Sequence, residues 1–488
     1  MKILFVCSEV APFAKTGGMA DVAGALPLAI RRKGHDVSVF LPYYQIVTKG
    51  GYAPKMILPK VSIPVAGNIE SSSVHLLESD GVKFYFLEQN RYYNREFLYG
   101  PPAGDYPDNA ERFIYFNRAV LEAVKQLAFR PDIIHCNDWQ TALIPVYLKS
   151  LYKNDPFFHC AASLLTIHNV AYQGDFWHWD LHLTGLGWEY FVPKWIEFYG
   201  RINLLKSGIL HADLVNTVSE RYAQEIQTSD YSHGLERVLQ ARKDSLSGIV
   251  NGIDYNLFNP AHDKFIPQKY DTDSVEKKIT NKTALQNQFK LANIPDKPVI
   301  GMVSRLAQQK GIDLVVSAAE DLLKLGVQLV ILGTGDENYH NKLFKLAKAH
   351  PHQIGLNLSH DEKMASLIYA GSDFFLMPSR YEPCGLGQMI AMRYGTIPIV
   401  RYTGGLADTV TEFDPTAKRG TGFGFEDYKA AELVKTVKRA LAVYGQLQLW
   451  HALLRNAMNA DFSWNNSAAK YEKLYQQAHH ISKGWHSK

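Results

Sequence analysis

Glu382 stands in a segment built for rigidity, Pro378-Ser379-Arg380-Tyr381-Glu382-Pro383-Cys384-Gly385-Leu386. A carboxylate fixed between prolines and a glycine, with backbone amides nearby, can hydrogen-bond sugar hydroxyls. It can also steady positive charge at an anomeric carbon. The alternative is a tight turn whose Glu favours the start of the following helix. Three other segments suit an anion. In Lys15-Thr16-Gly17-Gly18, the two glycines let backbone N–H groups approach a ligand closely, and Lys15 adds positive charge. Ser304-Arg305-Leu306 is followed by Lys310-Gly311, and two cations five residues apart at a helix start can grip a diphosphate, Arg bidentately and Lys as a point charge. Thr403-Gly404-Gly405-Leu406-Ala407-Asp408 is a second Gly-Gly turn opening a helix. Each has a plain alternative, a glycine turn or a solvated helix start. None matches the dinucleotide or P-loop glycine spacing.

Two more segments carry polar groups at strand ends. His135-Cys136-Asn137-Asp138-Trp139 follows one strand, and Thr166-Ile167-His168-Asn169-Val170-Ala171-Tyr172-Gln173-Gly174 follows another. A lone His or Asp is commonly structural. Asp138 and His168, however, both fall where an open parallel sheet binds its ligands.

The elements that must position these residues alternate between strand and helix. Residues 2–7 form a short apolar run, as in a strand buried on both faces. A helical pattern covers 21–33, and 37–42 is the next strand, which makes a βαβ unit and predicts a parallel sheet with right-handed crossovers. Further strands are expected at 82–87, 132–135, 163–168 and 214–218. The same grammar restarts near Pro298, with strands at 299–303, 327–333, 373–378 and 396–400 and a helix over 311–324. Residues 251–260, rich in Asn, Gly and Asp, read as a linker. An exposed helix is expected within 271–288, and 462–475 reads as an amphipathic terminal helix returning to the first domain. The expected domains are therefore 1–250, 251–460 and a terminal helix in 461–488, with the ligand in the cleft between the two sheets.

Composition excludes several classes. The chain has 488 residues, 46% apolar and 20% charged, which suits globular domains and argues against disorder. The net charge of +4 is spread out, with no basic block of the nucleic-acid-binding kind. No apolar run is long enough to span a bilayer, and the first residues read as a strand rather than a signal peptide. Cys7, Cys136, Cys160 and Cys384 show no zinc or C-x-x-C spacing, so reduced thiols in a cytoplasmic protein are expected.

Together these segments, with Asn251-Gly252-Ile253-Asp254 and Asp461-Phe462-Ser463-Trp464, resemble the bacterial glycogen synthase and plant starch synthase family, in order along nearly the whole chain. The resemblance implies two Rossmann-like domains, the glycosyltransferase-B fold. It implies transfer of glucose from ADP-glucose to the 4-hydroxyl of an α-1,4-glucan such as glycogen, with retention of configuration and neither cofactor nor metal. By family position, Lys15, the Gly17 and Gly18 amides, Arg305, Lys310 and the Thr403, Gly404, Gly405 turn meet the charge of the leaving ADP. Glu382 holds the glucose hydroxyls, helped by amides around Cys384, Gly385 and Leu386. His168 lines the reacting face, Asp138 orients donor or acceptor, and Asn251 contacts the donor. Tyr93 and Arg95 are the expected acceptor contacts.

The sequence also departs from the family pattern. Met19 replaces a usual Leu, Asn94 a usual Asp between Tyr93 and Arg95, and Gly387 a common Thr. His360 stands where many relatives carry a Tyr that stacks on adenine. Rival readings are a retaining transferase using UDP-glucose or a small sugar acceptor, and a non-catalytic glucan-binding protein. A nicotinamide oxidoreductase lacks its glycine fingerprint.

Overall fold

The computed structural model describes residues 1–101 and 104–486. The chain divides into two compact units. One comprises Met1–Val218, Ala223–Gly252 and Trp464–Lys488, the other Ser219–Tyr222 and Ile253–Ser463.

Among the described residues, the first unit holds strands β1 (Lys2–Val6), β2 (Asp36–Pro42), β3 (Lys55–Val65), β4 (Asn68–Ser79), β5 (Val82–Glu88), β6 (Ile133–Asn137) and β7 (Ala162–Ile167). They are followed by β8 (Asp175–Phe176), β9 (Glu197–Phe198), β10 (Arg201–Asn203), β11 (Leu214–Thr217) and β12 (Leu246–Gly248). The main sheet has the order β12-β11-β7-β6-β1-β2-β5-β4-β3, and β8-β10-β9 form a small separate sheet. From β12 to β5 neighbouring strands run parallel, whereas β4 and β3 pair antiparallel. The central strands are almost continuously buried, because helices cover both faces of a parallel sheet. Chain order reverses between β1 and β6, so the loops after these strands open at the switch point where such sheets bind ligands.

The helix Trp464–His486 belongs to this unit. Tyr471 and Tyr475 are fully buried. The Tyr475 hydroxyl lies 2.8 Å from His135 Nδ1, while Asn216 donates to the Tyr471 oxygen. Glu472 meets Lys33 and His35 at the helix rim. Among the described residues, no helix is long and apolar enough to cross a membrane.

The second unit carries β13 (Val299–Val303), β14 (Gln328–Leu332), β15 (Ile354–Asn357), β16 (Phe374–Met377), β17 (Ile397–Arg401) and β18 (Phe423–Phe425), all parallel. Their order, β15-β14-β13-β16-β17-β18, is doubly wound with its switch point between β13 and β16. The helix expected in 271–288 is not a solvated one. A 3-10 turn at Thr272–Lys277 leads into Lys278–Gln288, which buries Lys278, Asn281, Lys282, Leu285 and Gln286. Lys278 donates to the carbonyls of Tyr369 and Ala370 and to Thr396, and Lys282 pairs with Asp373 at 2.8 Å. These lysines answer acceptors at the base of the sheet, which explains their burial. Pattern reading also overlooked the β3–β4 hairpin and the largely buried helix Asn109–Gln126.

Candidate active site

In the first unit, the loops after β1, β6 and β7 meet because those strands are neighbours. Asn137 ties the three together. Its amide nitrogen donates to the Val6 carbonyl at 3.0 Å, and its oxygen accepts from His168 Nε2 at 2.9 Å. That contact sets the tautomer: the Nε2 proton faces Asn137, and Nδ1 is left as the ring's acceptor. Burial holds the imidazole neutral, with its pKa lowered to about 3.

Asp138 is 6% exposed and sits at φ 54°, in a backbone region that non-glycine residues rarely adopt. Its carboxyl accepts from the His168 amide at 2.7 Å. Burial raises its pKa to about 7, opposed by hydrogen bonds from the His168 and Asn169 amides and aided by the nearby Glu9 charge. The side chain expected to orient a sugar is therefore engaged in shaping the loop that presents His168.

Glu9 is the residue that sequence reasoning missed. It lies three residues past β1 and is 4% exposed. Its carboxylate accepts from the Thr16 amide and hydroxyl, from the Gly17 amide at 3.1 Å, and from the Tyr99 hydroxyl at 3.1 Å. Burial raises its pKa. The Gly17 amide, expected to serve a phosphate, thus points at Glu9. Gly18 begins the helix Gly18–Arg32, and Lys15 reaches across its first turn to Asp21 at 2.6 Å while staying half-exposed. The signal was a carboxylate directly upstream of an amide-rich Gly-Gly loop.

Asn251 is buried at 5% exposure, and its side-chain oxygen has no hydrogen-bond partner among the described residues. The expected acceptor contacts have other duties. Tyr93 is fully buried, and its hydroxyl donates to the Arg112 carbonyl. This corrects its direct acceptor role, because no face of the ring is available to a sugar. Arg95 forms a two-pronged pair with Asp108 at 2.7 and 2.5 Å.

In the second unit, the loops after β13, β16 and β17 converge. Lys310 Nζ sits 2.6 Å from Glu382 Oε2, with the two side chains 17% and 7% exposed. Ser379 donates to the same oxygen at 3.0 Å. The cation expected on a phosphate and the carboxylate expected on the sugar are one pair here. Gly311, at φ 72°, lets this approach happen, since a β-carbon there would lie 2.1 Å from the Pro378 carbonyl oxygen. The Arg380 amide donates to the Gln309 carbonyl at 2.8 Å, clamping the two loops together. Arg401, another group not singled out from sequence, donates to the Arg380 carbonyl at 2.7 Å.

The Gly-Gly turn lies against the Glu382 loop. The Gly405 amide donates to the Glu382 carbonyl at 3.1 Å, and a β-carbon on Gly405 would lie 2.1 Å from the Cys384 carbonyl oxygen. Thr403 is buried, and Gly404 starts the short helix Gly404–Thr409. Cys384 is 6% exposed, Gly385 takes φ 71°, and Leu386 leads into the helix Gly387–Arg393. Arg305 is exposed just past β13, and His360 is exposed directly before the Asp361 cap of the helix Glu362–Gly371. The structure therefore brings Lys310, Glu382, Cys384, Thr403, Gly404 and Gly405 into contacting loops.

Comparison with known proteins identifies the family and the fold. Residues 2–241 match the model described as starch synthase catalytic domain, and 285–458 match glycosyl transferases group 1. A glycogen synthase of Thermotoga maritima is 47% identical over 98% of this chain and 99% of its own length. Glycogen synthase 2 of Geobacter sulfurreducens is 46% identical over 99% of this chain and 100% of its own. Among solved structures, the catalytic domain of starch synthase IV from Arabidopsis thaliana, bound to ADP and acarbose, superposes with a TM-score of 0.89 at 34% identity, covering 98% of this chain and 99% of that one. Sucrose-phosphate synthase from Thermosynechococcus elongatus, at 18% identity and a TM-score of 0.62 over 98% of each chain, shares the fold. The two doubly wound sheets, the strand-end loops and the full-length similarity converge on one assignment: this chain belongs to the glycogen and starch synthase family of glycosyltransferases, with the glycosyltransferase-B fold.

Proposed function

We propose that the chain transfers glucose from ADP-glucose to the non-reducing 4-hydroxyl of an α-1,4-glucan, with retention, in glycogen synthesis. The observation that carries the site assignment is the Glu382 carboxylate, held by Lys310 and Ser379 on a loop against which the Thr403–Gly405 turn is packed. The starch synthase IV structure with ADP and acarbose supports the donor and acceptor classes.

In this reading the anomeric C1–O bond to the diphosphate breaks as the acceptor 4-oxygen bonds to C1 on the same face, and the acceptor proton passes to the leaving phosphate oxygen. Glu382 opposes the positive charge that develops on the sugar, and a charge preorganised in this way needs no rearrangement at the moment of reaction. Lys310 and the exposed Arg305 answer the charge of the departing ADP. Neutral His168 accepts a sugar hydroxyl at Nδ1. Asn251 offers an unpartnered oxygen to the donor. Lys15 serves the diphosphate by leaving Asp21. We assign the acceptor groups to the first unit, and the nucleotide-sugar groups to the second unit together with Lys15, His168 and Asn251 of the first. We place the activity in the cytoplasm, since Cys7, Cys136, Cys160 and Cys384 are all free thiols.

The test compares ADP-glucose with UDP-glucose on glycogen, in the parent and in His360→Tyr. A clear preference for ADP-glucose is expected, and equal use of both donors would overturn the donor assignment. Glu382→Ala should abolish ADP release, and an unchanged rate would remove Glu382 from the reaction.

A further inference from the structure

The sheet of the second unit ends in an unguarded edge. β15 lies last in the strand order and pairs with β14 alone. The Leu329 amide donates to the Gln353 carbonyl at 2.8 Å, and the Gly333 amide to the Asn357 carbonyl at 3.0 Å. Backbone groups alternate in direction along a strand, so the Ile354 carbonyl and the Leu356 amide and carbonyl face away from β14. Such an edge recruits a further strand unless charge, proline or shortness blunts it. β3, at one end of the first sheet, carries Lys55, Pro59, Lys60 and Pro64. β12 and β18, which end the two large sheets elsewhere, have three residues each. Residues 353–359, which contain β15, have neither charge nor proline.

This edge lines a cavity of about 800 Å³. Ile354, Gly355 and Leu356 contribute the strand side. Phe344 and Lys348 come from the helix Glu337–Ala349, and Phe289 and Lys290 from the end of the helix Lys278–Gln288. A β-carbon on Gly355 would lie 2.7 Å from that of Phe289, so the glycine lets Phe289 close on the strand. Ile354 and Leu356 point to the other face of the sheet. Phe344 is 59% exposed while its neighbour Leu343 is buried, so this ring serves the cavity and not the core. The charge is of one sign. Lys290 and Lys348 line the cavity with no carboxylate beside them in the lining, and Lys342 and Lys345 precede Lys348 on the same side of its helix.

A free strand edge between apolar walls is the geometry of strand addition, in which main-chain hydrogen bonds hold an extended peptide and pockets read its alternate side chains. We propose that this groove docks an extended, acidic segment of a partner protein, which adds a strand to β15 and sets apolar side chains against Phe289 and Phe344. Charge decides the occupant. A second copy pairing edge to edge would bring two sets of Lys290 and Lys348 into one groove, and like charges oppose that contact. Carboxylates flanking the apolar residues of the added strand would instead meet both lysines.

The experiment titrates the full chain into fluorescein-labelled peptides that alternate glutamate with valine, leucine or phenylalanine, and reads fluorescence anisotropy. Saturable binding of at least one peptide with Kd below about 1 mM is expected, and failure of every one would overturn the proposal. Phe344→Ala and, separately, Lys290→Glu with Lys348→Glu should each weaken binding roughly tenfold. These side chains are exposed, so thermal melts and glucose transfer should stay at the parent level. Binding within about twofold of the parent in both variants would place the peptide elsewhere and overturn the proposal. Backbone N-methylation supplies the second readout. Methyl groups on alternate residues of one peptide edge should cost roughly tenfold, and the same groups on the other edge should be tolerated. Equal effects would mean that no strand is added. Parent dimers that these variants convert to monomers, without peptide binding, would make the groove a contact between copies. Either result overturns the proposal. Peptide binding requires no catalysis and is read independently of glucose transfer.

Discussion

Replacing Asp138 by Asn separates two roles that a strand-end carboxylate can have. The folded carboxyl titrates at about 7 against an ordinary 3.8, chiefly through burial. The folded state therefore binds the proton more tightly than the unfolded state does. The stability this proton contributes is complete below about pH 3.8 and is lost as pH rises to about 7. At about 1.36 kcal/mol per pH unit, the whole span is worth about 4 kcal/mol, of which about 3 kcal/mol falls between pH 5 and pH 8.5. Asn carries no charge at either pH and keeps one oxygen for the loop amides. Whatever the substitution costs at baseline, the difference between variant and parent should move by about 3 kcal/mol in the variant's favour from pH 5 to pH 8.5. In thermal melts that is roughly 6–12 °C for a unit of this size. A difference independent of pH would refute the assignment of a buried, proton-retaining carboxyl. Activity supplies the second readout. If Asp138 acts by holding His168, transfer should fall by no more than about tenfold, whereas a loss of about a thousandfold would restore a direct role on substrate.

The second unit offers sharper perturbations. Lys310→Ala leaves a 7%-exposed carboxylate without its cation, and chemical denaturation should report a loss of about 3–5 kcal/mol, together with lost transfer. Gly405→Ala drives a β-carbon toward the Cys384 carbonyl, so melting should show a loss of about 1–3 kcal/mol and kcat should fall as the Glu382 loop shifts. In the first unit, Tyr475→Phe strands the buried His135 Nδ1 and should cost about 1–3 kcal/mol in thermal melts, with KM for ADP-glucose unchanged.

Much of the scaffold was legible in the chain. Continuous apolar runs such as 299–303 read as buried parallel strands, because a sheet covered on both faces leaves no polar alternation. The β3–β4 hairpin was not legible, since Lys55–Val65 mixes exposed and buried positions without a clean period. The lysines of Lys278–Gln288 misled for a related reason. Sequence records charge but not the carbonyls and Asp373 that meet it.

At the site, residue type and order along the chain were enough to single out the strand-end loops and the family, because open parallel sheets put ligand-binding groups directly after strands. What each group touches depended on which strands became neighbours. β13 beside β16 set Lys310 on Glu382, and β16 beside β17 seated the Gly405 turn on the same loop. β1 beside β6 and β7 gave Asp138 to the His168 amide and brought the Glu9 charge close to Asp138. The chain alone specified the donors, acceptors and charges. Only the tertiary structure decided their partners, because burial, proton affinity and hydrogen-bond geometry are properties of neighbours far apart in sequence.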